Sequence, residues 1–301
     1  MARRDLAKLM PMNRALPAAF LLALLQSPAW SKDPPAADPA ALVAQGWDEF
    51  RLNETRRAET LFAKAAAAAP KNSEVQLMAL YGWGASLAFR SPDPEEAKGI
   101  EKYNEVIALS PQGDMAAWSL LALARLEHAV PVDHEPNYEK VRAAYDRLIA
   151  AFPDHPASEE AFLYKQATYA ASLKAEGAQK ALDAIQDFIK AKPGSKWLGP
   201  AWGLAAECYA ILGDPEKRLA AEIQALEHKE LDVNDPRADN SGAYWKIASL
   251  AEFQAGDFDT ARKYYRKLFE EYPTDQKAFV AQMALDRLAR TEMALKKGQK
   301  P

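Results

Sequence analysis

Five prolines recur at nearly equal intervals, each just past an apolar stretch: Pro70 in "AKAAAAAPKN", Pro111 in "EVIALSPQG", Pro153 in "DRLIAAFPDH", Pro193 in "DFIKAKPGS" and Pro273 in "KLFEEYPTD". The first four are roughly 40 positions apart, and the last gap is about twice that, a period typical of helical repeats. Proline has no amide hydrogen and its ring collides with the preceding turn, so a proline placed repeatedly after an apolar-periodic run ends a helix there. Each unit also breaks in its middle, at "RLNET" (51–55), "RSPDPEE" (90–96), "HAVPVDHEPNY" (128–138), "KAEGAQ" (174–179), "LGDPEK" (212–217) and "AGDFDT" (255–260). These Gly, Pro, Asp and Asn clusters are what loops between helices require. The pattern predicts about six antiparallel helix pairs, at 39–69, 73–109, 113–151, 157–191, 197–229 and 241–271, and a last helix at about 275–296. Alanine-rich runs such as 65–69 agree with helix, because Ala loses no side-chain entropy there.

Within the last pair, Trp245, Ser249, Gly256, Ala261, Tyr265 and Pro273 stand in a fixed order of aromatic, small, glycine, small, aromatic and proline. Leu42, Gly46, Ala58, Phe62 and Pro70 repeat it in the first pair. Gly84, Gly99, Tyr103 and Pro111 repeat it in the second, with "SPD" inserted, and Trp118, Leu121, Ala122, Tyr145 and Pro153 in the third, with a longer loop. The fourth pair keeps Ala181, Ile185 and Pro193; the fifth keeps Trp202, Ala206, Tyr209 and Gly213 but has Arg218 where a small residue is expected. This order resembles the tetratricopeptide repeat. The resemblance implies an all-α, right-handed α-solenoid over 39–296, with the first helix of each pair lining a concave groove and the last helix capping the stack. A single pair cannot bury its apolar face alone, whereas stacked pairs can. Residues 297–301 read as a short tail.

Residues 1–31 have a different character. Arg3, Arg4, Lys8 and Arg14 precede an apolar run, Ala15–Leu25, and Ala29 and Ser31 provide small residues before a cut after Ser31. This run falls well short of the roughly 20 residues that span a bilayer, so the segment reads as a cleaved export signal and leaves no transmembrane segment. Residues 32–38 then form a short linker. "RRDLAK" partly matches the twin-arginine export motif, whereas a start at Met12 leaves a complete general secretory signal. Both routes stay open. No cysteine lies near the cut, which argues against a lipoprotein and for a periplasmic or secreted protein. Residues 1–31 carry four basic groups and one acidic group, so 34 basic and 41 acidic groups remain after their removal, a net charge of −7. That balance disfavours nucleic acid, where phosphate neutralisation drives affinity. Cys208 is the only cysteine, so no intrachain disulfide forms.

No catalytic, cofactor or metal constellation emerges. Asp133, His134, Glu135 and Glu139 form one polar cluster and Asp154 and His155 another, but a helix of about 15 residues holds its two ends roughly 22 Å apart. There is no nucleophile elbow, phosphate loop or zinc-finger spacing. The sequence therefore predicts a non-enzymatic scaffold, similar to exported tetratricopeptide proteins of bacterial envelopes. Its expected partner is a protein or peptide in the groove, with no cofactor. The resemblance places Val43, Trp47, Phe50, Tyr81, Phe89, Ser119, Leu123, Lys246, Leu250 and Phe253 in that groove. Such a lining lacks the Lys, Asn and Arg set with which co-chaperones hold a C-terminal carboxylate. Two alternatives remain at this stage: a component of a cell-wall enzyme system, and a spacer that forms homo-oligomers through its terminal repeats.

Overall fold

The computed structural model describes residues 38–131, 133–231 and 238–298. The expected export signal (1–31), nearly all of the linker and the end of the tail lie outside the described residues. Among those described there are thirteen α-helices and no strand, an all-α helical repeat of the solenoid class. The chain divides into two compact units after Ser158.

The first unit holds α1 (Pro39–Arg51), α2 (Thr55–Ala68), α3 (Glu74–Ala88), α4 (Glu96–Leu109), α5 (Asp114–His128) and α6 (Tyr138–Ala151). The helix α7 (Pro156–Ala170) begins at the division. The second unit continues with α8 (Ala175–Ala191), α9 (Leu198–Leu212), α10 (Pro215–Glu227), α11 (Ser241–Leu250), α12 (Phe258–Glu271) and α13 (Gln276–Lys296). A π-helical turn, Ala251–Ala255, extends α11. Each of the five ladder prolines stands two residues past the end of a helix: α2, α4, α6, α8 and α12. At the starts, side chains receive the amide hydrogens that a first turn leaves unpaired. Asp38 accepts from Ala40, Ser73 from Gln76, Asn137 from Lys140, Asp214 from Lys217 and Asp257 from Thr260, at 3.0–3.2 Å.

In the first unit, one aromatic of the second helix of a pair fills the space that glycines leave in the first helices. Phe62 of α2 is wholly buried between α1 and α3. A β-carbon placed on Gly46 of α1 would lie 2.7 Å from the Phe62 ring, and one on Gly82 of α3 would lie closer still. Trp47 closes the same cluster, 5.0 Å from Phe62 and 6.0 Å from Tyr81 between ring centroids. One pair later Tyr103 occupies the corresponding place, while Gly84 and Gly99 let α3 and α4 approach backbone to backbone. In the second unit, Tyr265 of α12 is wholly buried and meets Trp245 of α11 edge-on at 5.6 Å. The aromatic and small residues of the repeat order thus pack against each other.

Gly82→Ala tests this wedge. On propensity alone the change should stabilise a helix by about 1 kcal/mol. Collision with Phe62 should reverse the sign, with a net loss of about 1–3 kcal/mol in urea unfolding. Adding Phe62→Leu should return part of that loss, a non-additive pair.

Candidate interaction face

The ten residues expected in the groove separate by burial. Val43, Trp47, Tyr81, Ser119 and Leu250 are buried. Phe50, Phe89 and Leu123 are half-buried against the core of the first unit. Lys246 and Phe253 are exposed. The first helix of an internal pair has helices on several sides, so much of the stripe expected to face a groove is spent on packing. Trp47 and Tyr81 sit in the aromatic cluster described above, and Tyr81 also approaches Tyr103 at 5.4 Å. Ser119 Oγ–H donates to the Met115 carbonyl within its own helix, at 2.7 Å. Leu250 belongs to the core formed by α11, α12 and α13.

Phe253 is held by the π-helical turn and α13, and Lys246 by α10. The turn's wide spiral closes on the Ala251 carbonyl, which accepts from Gly256 and, at 2.9 Å, from Asp257; Gly256 takes φ +68°, the left-handed region. Such turns recur at functional sites. Glu252 turns inward, its side chain 6% exposed, and its two oxygens accept from Arg287 Nε and Nη2 of α13, both at 2.7 Å. Tyr265 O–H donates to the same carboxylate at 2.9 Å. Phe253, the next residue, is 66% exposed, and the Arg287 guanidinium lies 5.2 Å from its ring centroid. A bidentate ion pair therefore holds a cation over an outward aromatic ring. The Glu252 hydrogen bond also raises the pKa of Arg287. Two turns earlier, Lys246 Nζ pairs with Glu222 of α10 at 2.5 Å. Arg218 Nη1 donates to Gln254 at 3.1 Å. Beside the turn lies a shallow recess of about 400 Å³ whose lining includes Leu219, Ile223 and Gly256. Phe253 is thus an exposed apolar residue with the Arg287 guanidinium over its ring, and its neighbour Gln254 accepts from Arg218.

Arg287 and Glu252 were not among the residues expected from sequence. Arg287 stands one tetratricopeptide repeat length past Phe253, about 34 residues, so extending the repeat register into the last helix would have found it.

The two polar clusters have local partners. His134 Nδ1 lies 3.0 Å from Asp133 in an exposed loop. His155 Nδ1 accepts the Ala157 amide hydrogen at 3.0 Å, leaving Nε2 to donate to Asp114 at 2.9 Å, so this ring caps the start of α7. Among the described residues no group of three or more His, Cys, Asp or Glu is placed to hold a metal ion. Cys208 is buried, and loss of solvation, followed by the nearby Glu207 charge, pushes its thiol pKa up to about 11. Among the described residues no helix is long and apolar enough to cross a membrane.

Burial, ahead of the Glu252 hydrogen bond, pushes the Tyr265 pKa up to about 12. Burial and the Glu271 hydrogen bond do the same for Tyr244. An unfolded tyrosine titrates near 10, so folding holds both protons more tightly. Their contribution is complete below pH about 10 and is lost as pH rises toward about 12. Alkaline titration of tyrosinate absorbance, run beside a denaturation series, should show a late-titrating group of Tyr81, Tyr103, Tyr244, Tyr264 and Tyr265, all raised by burial, and falling stability in that window. Tyr265→Phe should remove one tyrosine from that group.

Residues 243–275 match the tetratricopeptide repeat family model. No curated protein matches the chain by sequence. Similar solved structures include PilW, a widely conserved type IV pilus biogenesis factor, with 16% identity, a TM-score of 0.53, and 82% of this chain aligned to 98% of that one. PilF of Pseudomonas aeruginosa aligns with 16% identity, a TM-score of 0.50, and coverage of 81% and 97%. The anaphase-promoting-complex assembly Cut9–Hcn1 aligns with 16% identity and a TM-score of 0.51 over 83% of this chain, which spans only 43% of that one. The chain is thus similar to tetratricopeptide repeat proteins, by sequence over 243–275 and by fold over most of its length.

Proposed function

We propose that this protein is a non-enzymatic scaffold of the bacterial cell envelope, exported by residues 1–31, that binds a protein or peptide segment. The carrying observation is the exposed Phe253 ring, held outward by the π-helical turn and covered on one side by the Arg287–Glu252 pair. The buried Glu252 carboxylate fixes the Arg287 guanidinium beside that ring, so this cation has lost side-chain entropy before any partner arrives, which favours binding. The exposed ring suits a segment that offers an apolar side chain. Similarity to pilus biogenesis factors supports an envelope setting, and the charge of the mature chain supports a protein rather than a nucleic-acid partner. Of the ten residues named from sequence, Lys246 and Phe253 would contact the partner most directly, with Phe50, Phe89 and Leu123 as a second, half-buried set in the first unit.

A photo-crosslinking amino acid at position 253, expressed in the source cell, should give discrete protein adducts. The same amino acid at exposed Glu270 of α12 should not, and Arg287→Glu should weaken the adducts at 253. Identical adduct patterns at the two positions contradict the assignment.

Fusion of residues 1–37 to alkaline phosphatase, which is active only after export, should give activity outside the cytoplasm, with the mature N-terminus at Lys32. Leu22→Arg should abolish it. Activity that survives Leu22→Arg, or a fusion retained in the cytoplasm, contradicts the export reading.

A further inference from the structure

The helix α13 occupies the position of the first helix of a further pair. Ala278, Ala281 and Ala284 are buried, and each stands one repeat length past a buried residue of α11: Tyr244, Ile247 and Leu250. In α11 and its π-helical turn, the flank toward the pair-mate carries Trp245, which meets Tyr265, and Glu252, which accepts from it. One repeat length past these two stand Phe279 and Asp286. Phe279 is 72% exposed and Asp286 is exposed, because among the described residues no second helix lies on that flank.

Phe279, Met283, Asp286, Arg290 and Met293 are all exposed, and the steps between them alternate four and three. That alternation is the seam of a coiled coil, whereas the exposed side of a terminal repeat is ordinarily polar. An antiparallel helix set in the position of the missing pair-mate meets the seam with its two kinds of seam position alternating against each other. When that helix is α13 of a second copy related by a two-fold axis, one register uses the whole seam. Met283 then lies opposite Met293, and Asp286 opposite Arg290, each contact occurring twice by symmetry. Phe279 falls against the stem of Lys297. A shift of one heptad would place Asp286 against Met283 and leave the carboxylate without a cation. Neither Asp286 nor Arg290 has an ion-pair partner within its own chain among the described residues, so both are free to pair across the axis.

The geometry points to a reversible homodimer in which α13 of each copy, antiparallel to the other, takes the place of the missing pair-mate, with Asp286–Arg290 ion pairs fixing the register. A seam of about three heptads is small beside standard interfaces, so assembly should depend on concentration.

Sedimentation velocity over a micromolar-to-submillimolar series tests this with the chain lacking residues 1–31 and with the full chain. Both should pass from monomer to dimer. Asp286→Arg and Arg290→Asp, each alone, place like charges together and should weaken the dimer at least tenfold. The double change Asp286→Arg/Arg290→Asp exchanges the pair across the axis and should restore it. All three variants alter exposed positions alone, and circular dichroism should show unchanged helicity. A monomer throughout, a dimer indifferent to either single change, or single losses that the double change does not repair would each overturn the proposal. A dimer formed only by the full chain would assign the seam to the apolar run 15–25 instead and overturn it too.

Discussion

In the first unit, the insertion of one aromatic ring between helices that carry glycine at the point of contact is the constraint on which the packing depends. Phe62 reaches α1 and α3 together only because Gly46 and Gly82 have no β-carbon. The ring then serves two interfaces, one within its pair and one with the next pair. This is why short helices that are marginal alone in water hold together when paired. The same economy fixes the loops. A helix pair that must present its ring at a set height needs helices of set length, and the ladder prolines end five of them at the same distance past the last helical residue.

That economy leaves little surface for function. Most aromatics are committed to the interior, including Trp47, Tyr81, Tyr103 and Tyr265. Phe253, Phe269 and Phe279 are exposed, and at Phe253 a π-helical turn follows α11. Glu252 faces inward to Tyr265 and Arg287, and its neighbour is left in solvent. The carboxylate does two jobs: it satisfies the buried Tyr265 hydroxyl and it fixes the guanidinium above the exposed ring. Charge, packing and exposure at this place are therefore coupled, and a substitution at any one of the three residues should be felt at the other two.

Much of the architecture is legible in the chain because its signals are local and covalent. A proline ends a helix whatever surrounds it, and Asp214–Pro215 starts one by the same local chemistry. The binding face is less legible. Val43, Trp47, Tyr81, Ser119 and Leu250 have the helical spacing of a groove, but spacing cannot separate a side that meets a ligand from a side that meets the next helix pair. Arg287 and Glu252 are distant in the chain and come together only through the packing of α13 on α11 and α12. Extended repeat numbering exposes that contact, since Arg287 stands one repeat beyond Phe253. The π-helical turn has no signature in the sequence that would have located it.

The central claim is that partner binding centres on the turn after α11 and the adjoining face of α13. Amide hydrogen exchange, compared between the free protein and its complex with the partner captured through position 253, tests this most directly. The account predicts slowed exchange concentrated in residues 246–257 and around Arg287, with the first unit little changed. Protection confined to other segments, with exchange at 246–257 unaltered, would contradict it.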